Sequence, residues 1–167
     1  MFCFSADTHL NHKNIIEYCS RPFSTIEEMN ETIIENFNDR IMPDDTLYHL
    51  GDFSFGDAYR WRKRFKCKNI FLIRGNHDKS GLKDAGFGWV KDTHNLIRPE
   101  GKEISIFLSH YGHRVWPSSH HGSYHLYGHS HGKLPSYGKS FDVGVDCFNF
   151  IPISLDTVIG IMDTEPL

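Results

Sequence analysis

The sequence lacks the features that mark several large classes of protein. No run approaches the roughly 18 apolar residues that a membrane-spanning helix requires, and no basic segment leads into an apolar core at the start. We therefore expect neither a membrane partner nor a signal peptide. The cysteines number only four and include no C-x-x-C pair, which is typical of reduced thiols in a cytoplasmic protein. A net charge of −3 gives no overall basic surface for duplex DNA.

Histidine, by contrast, is abundant. The chain has 12 histidines among 167 residues, spread from His9 to His131, so they do not form a tag. Hydrophobic residues make up 39 % and aromatic residues 14 %, which is enough for a packed core. The length fits one domain over residues 1–167, with no repeat or linker. Because imidazole is the commonest metal ligand, the histidines raise the question of a metal site.

Apolar runs and helical spacing predict a mixture of strands and helices. Strands are predicted at residues 2–6, 46–50, 69–73, 125–127 and 141–145, with a hairpin of 89–97 and 103–109. Helices are predicted at residues 14–18, 26–41 and 57–65, the second of them begun by a capping box of Ser24 and Glu27. Ser154 is a candidate cap for a short C-terminal helix. This order favours an α/β fold with helices outside one or two mixed sheets.

Polar side chains follow the predicted strands directly: Asp7, Asp52, Asn76, His110 and His129. In α/β sheets, ligands gather at the carboxyl ends of the strands, so we expect these side chains to meet. The pairs Asp7-x-His9 and His129-x-His131 place two donors on the same side of an extended segment. A mixed set of imidazole, carboxylate and amide donors suits Mn²⁺, Fe, Zn²⁺ or Ni²⁺ better than a cysteine-rich zinc site does.

Along the chain these residues form the motifs D-x-H, G-D, G-N-H-D, H and G-H-x-H, in that order. The series resembles the calcineurin-like metallophosphoesterase superfamily, in particular its small bacterial and phage members. The resemblance implies a four-layer α/β/β/α sandwich of two packed mixed sheets with flanking helices. It also implies two divalent ions, with Mn²⁺ expected. The first ion would be held by Asp7, His9 and His131, the second by Asn76, His110 and His129, and Asp52 would bridge them.

The resemblance further implies that His77 faces the substrate phosphate and the leaving group rather than a metal. Two divalent ions carry four positive charges, whereas Asp7, Asp52 and a bridging hydroxide together carry three negative charges. The site would therefore keep a net positive charge and attract an anionic phosphoester. We predict in-line attack by the metal-bridging hydroxide, with His77 as general acid or charge stabiliser. Asp78 is the candidate that orients His77, because Phe55 stands where many relatives carry a second acid.

Three more residues are candidate substrate contacts. His12 follows His9 in a loop that leaves the site, where a solvated loop residue is the alternative. Arg74 precedes the Asn76 turn and could clamp a phosphate, or it could form an ordinary salt bridge. Trp116 lies in the histidine-rich loop 113–121 and could stack on a base or aryl group, or pack in the core.

The predicted function is hydrolysis of a small or nucleotide-like phosphodiester in the cytoplasm. The preference for a diester depends on the small members of the family and on the absence of an evident arginine pair for a dianionic phosphate. A phosphomonoesterase remains an alternative. A nuclease is another, supported only by the basic run at residues 60–68, which we interpret as solvated surface. A non-enzymatic scaffold is disfavoured because His77 and every predicted ligand are present.

Overall fold

The computed structural model describes residues 1–79 and 81–164, which form two mixed sheets. The strands of the first sheet lie in the order β4-β3-β2-β1-β9 and are β1 (Phe2–Ser5), β2 (Thr46–His49), β3 (Asn69–Ile73), β4 (Val90–Lys91) and β9 (Ile153–Ser154). The second sheet, in the order β5-β6-β7-β8, contains β5 (Thr93–Ile97), β6 (Ser105–Ser109), β7 (Tyr124–Tyr127) and β8 (Ser140–Asp142). β9 and β5 run antiparallel to their neighbours, and the other pairings are parallel.

Alternation along the strands divides the core into two apolar clusters. In β1, Cys3 belongs to the cluster that includes Met29 and Trp61 from the earlier helices, whereas Phe4 belongs to the cluster that includes Leu126 of the second sheet and Val158 of the C-terminal helix. The helices are α1 (Ile15–Tyr18), α2 (Ile26–Arg40), α3 (Ala58–Arg62) and α4 (Leu155–Thr164). The predicted α/β class, with two packed mixed sheets and flanking helices, is confirmed. Among the described residues, no helix is long and apolar enough to cross a membrane.

Two local predictions were wrong. The predicted strand 89–97 is divided: Val90–Lys91 pairs with β3 in the first sheet, and Thr93–Ile97 pairs with β6 in the second. Asp92, between them, is where the chain passes from one sheet to the other. The cap of α2 is Thr25 rather than Ser24, because the Thr25 hydroxyl accepts from the Glu28 N–H at 3.1 Å. Glu28, not Glu27, completes the motif by accepting from the Ser24 N–H.

Glycines allow the strand ends to approach each other closely. At Gly75, an added Cβ would overlap the carboxylate and the backbone nitrogen of Asp52. At Gly128, it would lie 2.6 Å from the Asp7 Oδ2 atom. Larger side chains at these positions would therefore push the strand ends apart at the edge where the predicted ligands lie.

Candidate metal centre

The predicted ligands lie together at the carboxyl ends of strands from both sheets. Ligand atoms of the first group all lie within 4.8 Å of one another, and the group consists of Asp7, His9 and His131. The same limit holds for the second group, which consists of Asp52, His110 and His129. Asp7, His9 and Asp52 follow β1 and β2 of the first sheet, whereas the remaining imidazoles follow β6 and β7 of the second.

Asp52 belongs to the second group and also faces the first. Its Oδ2 atom is 3.6 Å from the His9 Nε2 atom and 3.4 Å from the His110 Nε2 atom. Asn76 joins the second group, since its Oδ1 atom lies 3.0 Å from the same His110 nitrogen. The structure thus brings all the predicted ligands together, with the Asp52 carboxylate in a position that can bridge two ions.

The first group carries polar atoms that lack a partner. Asp7 Oδ1 and His9 Nε2 are buried, lie 3.9 Å apart and form no hydrogen bond with any residue that the structure describes. Buried polar atoms are normally hydrogen-bonded, so an orphaned pair of acceptors needs an explanation. Burial raises the pKa of Asp7 to about 8 and lowers the pKa of His9 to about 2. A divalent cation fits this position, because it supplies both atoms with a partner and stabilises the Asp7 carboxylate.

Asp52 and His110 attract each other within the second group. Burial opposes the charge on Asp52 and His110, but the hydrogen bond and attraction between them outweigh it. The pKa of Asp52 falls to about 2 and the pKa of His110 rises to about 9. A cation that binds here replaces the proton on His110 and satisfies the same carboxylate.

Two of the imidazoles are oriented through their outer nitrogens. The Nδ1 atom of His110 donates to the Leu50 carbonyl at 2.8 Å. The Nδ1 atom of His131 lies 2.7 Å from the Asp146 carboxylate. In each ring these contacts leave Nε2 facing the ligand group, which is the usual arrangement for a histidine that binds a metal.

Arg21 and Asp146 support the first group from behind, and the sequence analysis missed both. Arg21 is buried, and its guanidinium donates to both Asp146 oxygens at 2.8 Å. It also donates to the backbone carbonyls of Asp7 at 2.7 Å and Thr8 at 3.1 Å. Asp146 directly follows the predicted strand 141–145, so the strand-end rule could have identified it. Arg21 carries no comparable local signal, because its partner lies 125 residues away.

Left-handed backbone is concentrated at the centre. Positive φ angles between 48° and 68° occur at Asp7, His9, Asp52, His129 and His131. Each non-glycine residue in this region costs on the order of 1–3 kcal/mol and persists only where its surroundings hold it. Here the Asp7 N–H donates to the Gly51 carbonyl and the His9 N–H donates to the Asp52 carbonyl, both at 2.9 Å. The fold therefore maintains strained backbone where the predicted ligands lie.

The predicted contact between Asp78 and His77 is wrong. The Asp78 carboxylate accepts the backbone N–H groups of Asp52 at 2.7 Å, Gly75 at 2.9 Å and Phe53 at 3.0 Å. It is turned towards the loops after β2 and β3 because their N–H groups would otherwise be buried without acceptors. His77 is fixed differently: its backbone N–H donates to Asp52 Oδ1 at 2.8 Å. Its half-buried ring lies 5.3 Å from the His9 ring.

Of the three candidate substrate contacts, the structure brings one to the centre. The His12 ring lies 5.7 Å from the His77 ring. Arg74 is exposed, with its guanidinium 3.4 Å from Asp92, which matches the salt-bridge alternative. Trp116 is buried, and its indole N–H donates to the Ser123 carbonyl at 3.0 Å, which matches the core-packing alternative. Neither Arg74 nor Trp116 is oriented by these contacts towards the ligand groups.

Comparison with known proteins decides the family. The model of the calcineurin-like phosphoesterase family matches residues 2–160, which is nearly the whole chain. The chain belongs to this family. It is therefore a metal-dependent phosphoesterase, and the resemblance predicted from the ordered motifs is confirmed.

Proteins similar to this phosphoesterase come from several different organisms. An uncharacterized protein of Methanocaldococcus jannaschii is 36% identical over 162 residues, which cover 95% of this chain and 89% of that protein. The gene 66 protein of Mycobacterium phage L5 is 24% identical, over 96% of this chain and 93% of its own length. Among solved structures, a protein of unknown function from Aquifex aeolicus matches with a TM-score of 0.76 and 24% identity, covering 96% of this chain and 98% of that one. This structural likeness shows the shared fold.

The basic run of this phosphoesterase is largely engaged with its own chain. Arg64 pairs with Glu31 at 2.6 Å, and Lys68 pairs with Asp44 at 2.8 Å. Arg62 is buried and donates to the Lys68 carbonyl at 2.9 Å. Paired and solvated charges are a weak basis for holding a nucleic-acid backbone, so the run gives little support to the nuclease alternative.

Proposed function

We propose that this phosphoesterase hydrolyses small or nucleotide-like phosphodiesters with two Mn²⁺ ions. The observation that carries the proposal is the Asp52 carboxylate, 3.6 Å from His9 and 3.4 Å from His110, between two ligand groups. The two ligand groups would hold two divalent ions, which would supply polarisation of a phosphoryl oxygen and activation of water for in-line attack. The mixed nitrogen and oxygen donors support Mn²⁺. The four free cysteines support a cytoplasmic location.

The donors favour an anionic substrate. The ligand groups contain the carboxylates of Asp7 and Asp52, while the remaining donors are imidazoles and the Asn76 amide. With two divalent ions bound, the centre keeps a net positive charge. Asp146 also lies near, but the Arg21 guanidinium is bonded to both of its oxygens. A phosphoester is therefore attracted rather than repelled.

His77 is the residue we assign to the leaving group. Its backbone is fixed by Asp52, and its ring lies at the mouth of the site beside His9 and His12. From this position an imidazole N–H donates to the departing oxygen and neutralises the charge that develops there. The ring is not enclosed by the ligand groups, so it can contact a substrate.

The preference for a diester is supported by the arginines next to the site motifs, which already have partners. Arg21 is bonded to Asp146 and to two backbone carbonyls. Arg74 lies beside Asp92. A dianionic monoester gains most from a bidentate arginine, whereas a diester carries one negative charge and depends less on such a contact.

The function is tested by comparing two chromogenic esters in the presence of Mn²⁺. We expect kcat/KM for bis(p-nitrophenyl) phosphate to exceed that for p-nitrophenyl phosphate, with two metal ions per chain by elemental analysis. Faster hydrolysis of the monoester would overturn the diester preference. Two bound ions without hydrolysis of either ester would favour the scaffold alternative.

The assignment of His77 is tested by changing the leaving group. His77→Ala should lower kcat about 100-fold or more for a diester with an alkoxide leaving group, which requires a proton. The loss should be much smaller for a p-nitrophenolate leaving group, which departs without one. An equal loss for both esters would contradict the role of His77 as a proton donor.

A further inference from the structure

The rings of His12 and Phe55 lie beside His77, the ring of Tyr18 lies beside His12, and the mechanism above uses none of the three. The rings of His12 and Phe55 are stacked, with centroids 4.5 Å apart and planes 16° apart. The ring of Tyr18 also contacts the His12 ring, in a T-shaped arrangement with centroids 6.2 Å apart. We call Tyr18, His12 and Phe55 the aromatic wall. Phe55 also lies 5.7 Å from the ring of His77, so the wall begins where the leaving group is expected.

The aromatic wall is exposed although it is apolar. Phe55 is 41% exposed and Tyr18 is 62% exposed. A single exposed aromatic residue needs no explanation. Here, however, two of them flank one polar ring and border the mouth of a metal centre. Such a surface keeps ring faces available to a ligand, at the cost of leaving apolar area in water.

The backbone holds Phe55 in place. Its N–H donates to the Leu10 carbonyl at 2.7 Å, and its carbonyl accepts from the Asn11 side chain at 3.3 Å. Asn11 is fixed in turn, because its backbone N–H donates to the Asn30 side chain at 3.0 Å. Since Leu10 and Asn11 directly follow the ligand His9, the ring of Phe55 is positioned by the same loop as the metal centre.

A cavity of about 220 Å³ adjoins Phe55 and His77. Apolar side chains of Phe55, Ala58 and Leu82 line one part of it, and the polar side chains of Ser54 and Lys79 line the rest. The Asp78 carboxylate at its border is bound to backbone N–H groups. A cavity of roughly 150 Å³ accommodates benzene. The space is therefore large enough for one planar ring system that carries polar atoms at its edge.

We propose that the aromatic wall binds a planar aromatic group, a nucleobase or an aryl ring, of the ester whose phosphate lies at the metal centre. This inference rests on the proposed function. A ring that stacks on Phe55 gains contact with a fixed π-face, which an aliphatic group of similar size cannot match. The phosphate of the ester binds at the metal centre, and the aromatic wall selects esters whose phosphate carries a planar aromatic group.

The test measures binding of phosphonates that cannot be hydrolysed. Calorimetry on the Mn²⁺-loaded protein compares phenylphosphonate, cyclohexylphosphonate and methylphosphonate. We expect phenylphosphonate to bind on the order of 10-fold more tightly than the cyclohexyl compound. Phe55→Ala should remove most of that advantage while leaving the affinity for methylphosphonate and the metal content unchanged. Phe55→Leu, which keeps an apolar side chain, should bind the phenyl and cyclohexyl compounds about equally.

Tyr137→Ala is the matched control, because Tyr137 is 53% exposed and lies outside the aromatic wall. It should leave all three affinities unchanged, and a selective loss of phenylphosphonate in this variant would overturn the proposal. Equal affinities of the unaltered protein for the phenyl and cyclohexyl compounds would also overturn the proposed role of the aromatic wall. If methylphosphonate still bound in that case, the proposed function would remain supported. Failure of every phosphonate to bind a protein with two ions would overturn both.

Discussion

Two regions of this protein are rich in histidine, and they use it differently. At the metal centre, the Nε2 atom of His9 is buried and has no hydrogen-bond partner within residues 1–79 and 81–164. In β7 the ring of His125 is equally buried, but Nδ1 donates to the Phe107 carbonyl at 3.2 Å and Nε2 accepts from the His113 N–H at 3.0 Å. His120 and His121, in the loop before β7, are exposed. The number of histidines is therefore a poor guide to metal binding, and the unmet bonding capacity of a buried ring is a better one.

Backbone conformation also separates the histidines of the metal centre from His125. His9, His129 and His131 have positive φ angles in the turns that follow β1 and β7. His125 lies within β7, where the strand alternation places its ring against the loop that carries Trp116. Strained backbone with unsatisfied side-chain atoms indicates a site that a ligand completes, whereas regular backbone with satisfied atoms indicates packing.

The Asp52→Asn variant is the strongest test of the difference between the two histidine-rich regions. The amide keeps the shape of the carboxylate but removes the charge that faces both ligand groups. We expect turnover of bis(p-nitrophenyl) phosphate to fall at least about 100-fold and elemental analysis to show fewer than two ions per chain. His121→Ala, in the other region, should retain turnover within about twofold. Wild-type metal content and turnover in Asp52→Asn would contradict the bridging position.

A smaller effect on metal binding is expected from a substitution that removes the residue orienting a ligand histidine but keeps the histidine itself. Asp146→Ala removes the acceptor of the His131 Nδ1 proton, so the affinity for Mn²⁺ should fall about 10- to 100-fold by calorimetric titration. Asp146→Asn should cost less, because the amide oxygen still accepts one hydrogen bond. Glu31→Ala is the matched control, since Glu31 also pairs with an arginine, Arg64, but lies at the surface. Unchanged Mn²⁺ affinity in Asp146→Ala would show that Asp146 is merely structural.

The smallest effect concerns His125 and appears only in stability. Burial lowers the pKa of His125 to about 4, below the ordinary value near 6.5, so the unfolded chain binds more protons between these values. The free energy of unfolding should therefore fall on acidification from pH 7 to pH 5, with His125 contributing about 2 kcal/mol of the change. His125→Gln should flatten the dependence measured by urea unfolding. An identical pH dependence in both proteins would contradict a neutral, buried His125.

The sequence predicts the parts of the site that depend on local pattern. Asp7, Asp52, Asn76, His110 and His129 each end or follow an apolar run, and the end of a strand is a local property. The same rule could have indicated Asp146, but its pairing with Arg21 spans 125 residues and depends on how the layers meet, so no local pattern predicts the pair. The crossing from one sheet to the other at Asp92 was missed for a related reason. The sequence is strand-like on both sides of Asp92, and this pattern does not specify with which strand each segment pairs. Thr25 displaced Ser24 because overlapping capping motifs differ by one residue.

Each ligand group takes side chains from both sheets. Asp7 and His9 from the first sheet meet His131 from the second, and Asp52 meets His110 and His129 in the same way. Ions bound there cross-link the two halves of the core and stabilise the folded chain by about 2.7 kcal/mol per ion at a hundredfold excess over the dissociation constant. Metal binding and folding are therefore linked, and removal of divalent cations is expected to lower the free energy of unfolding together with the hydrolytic activity.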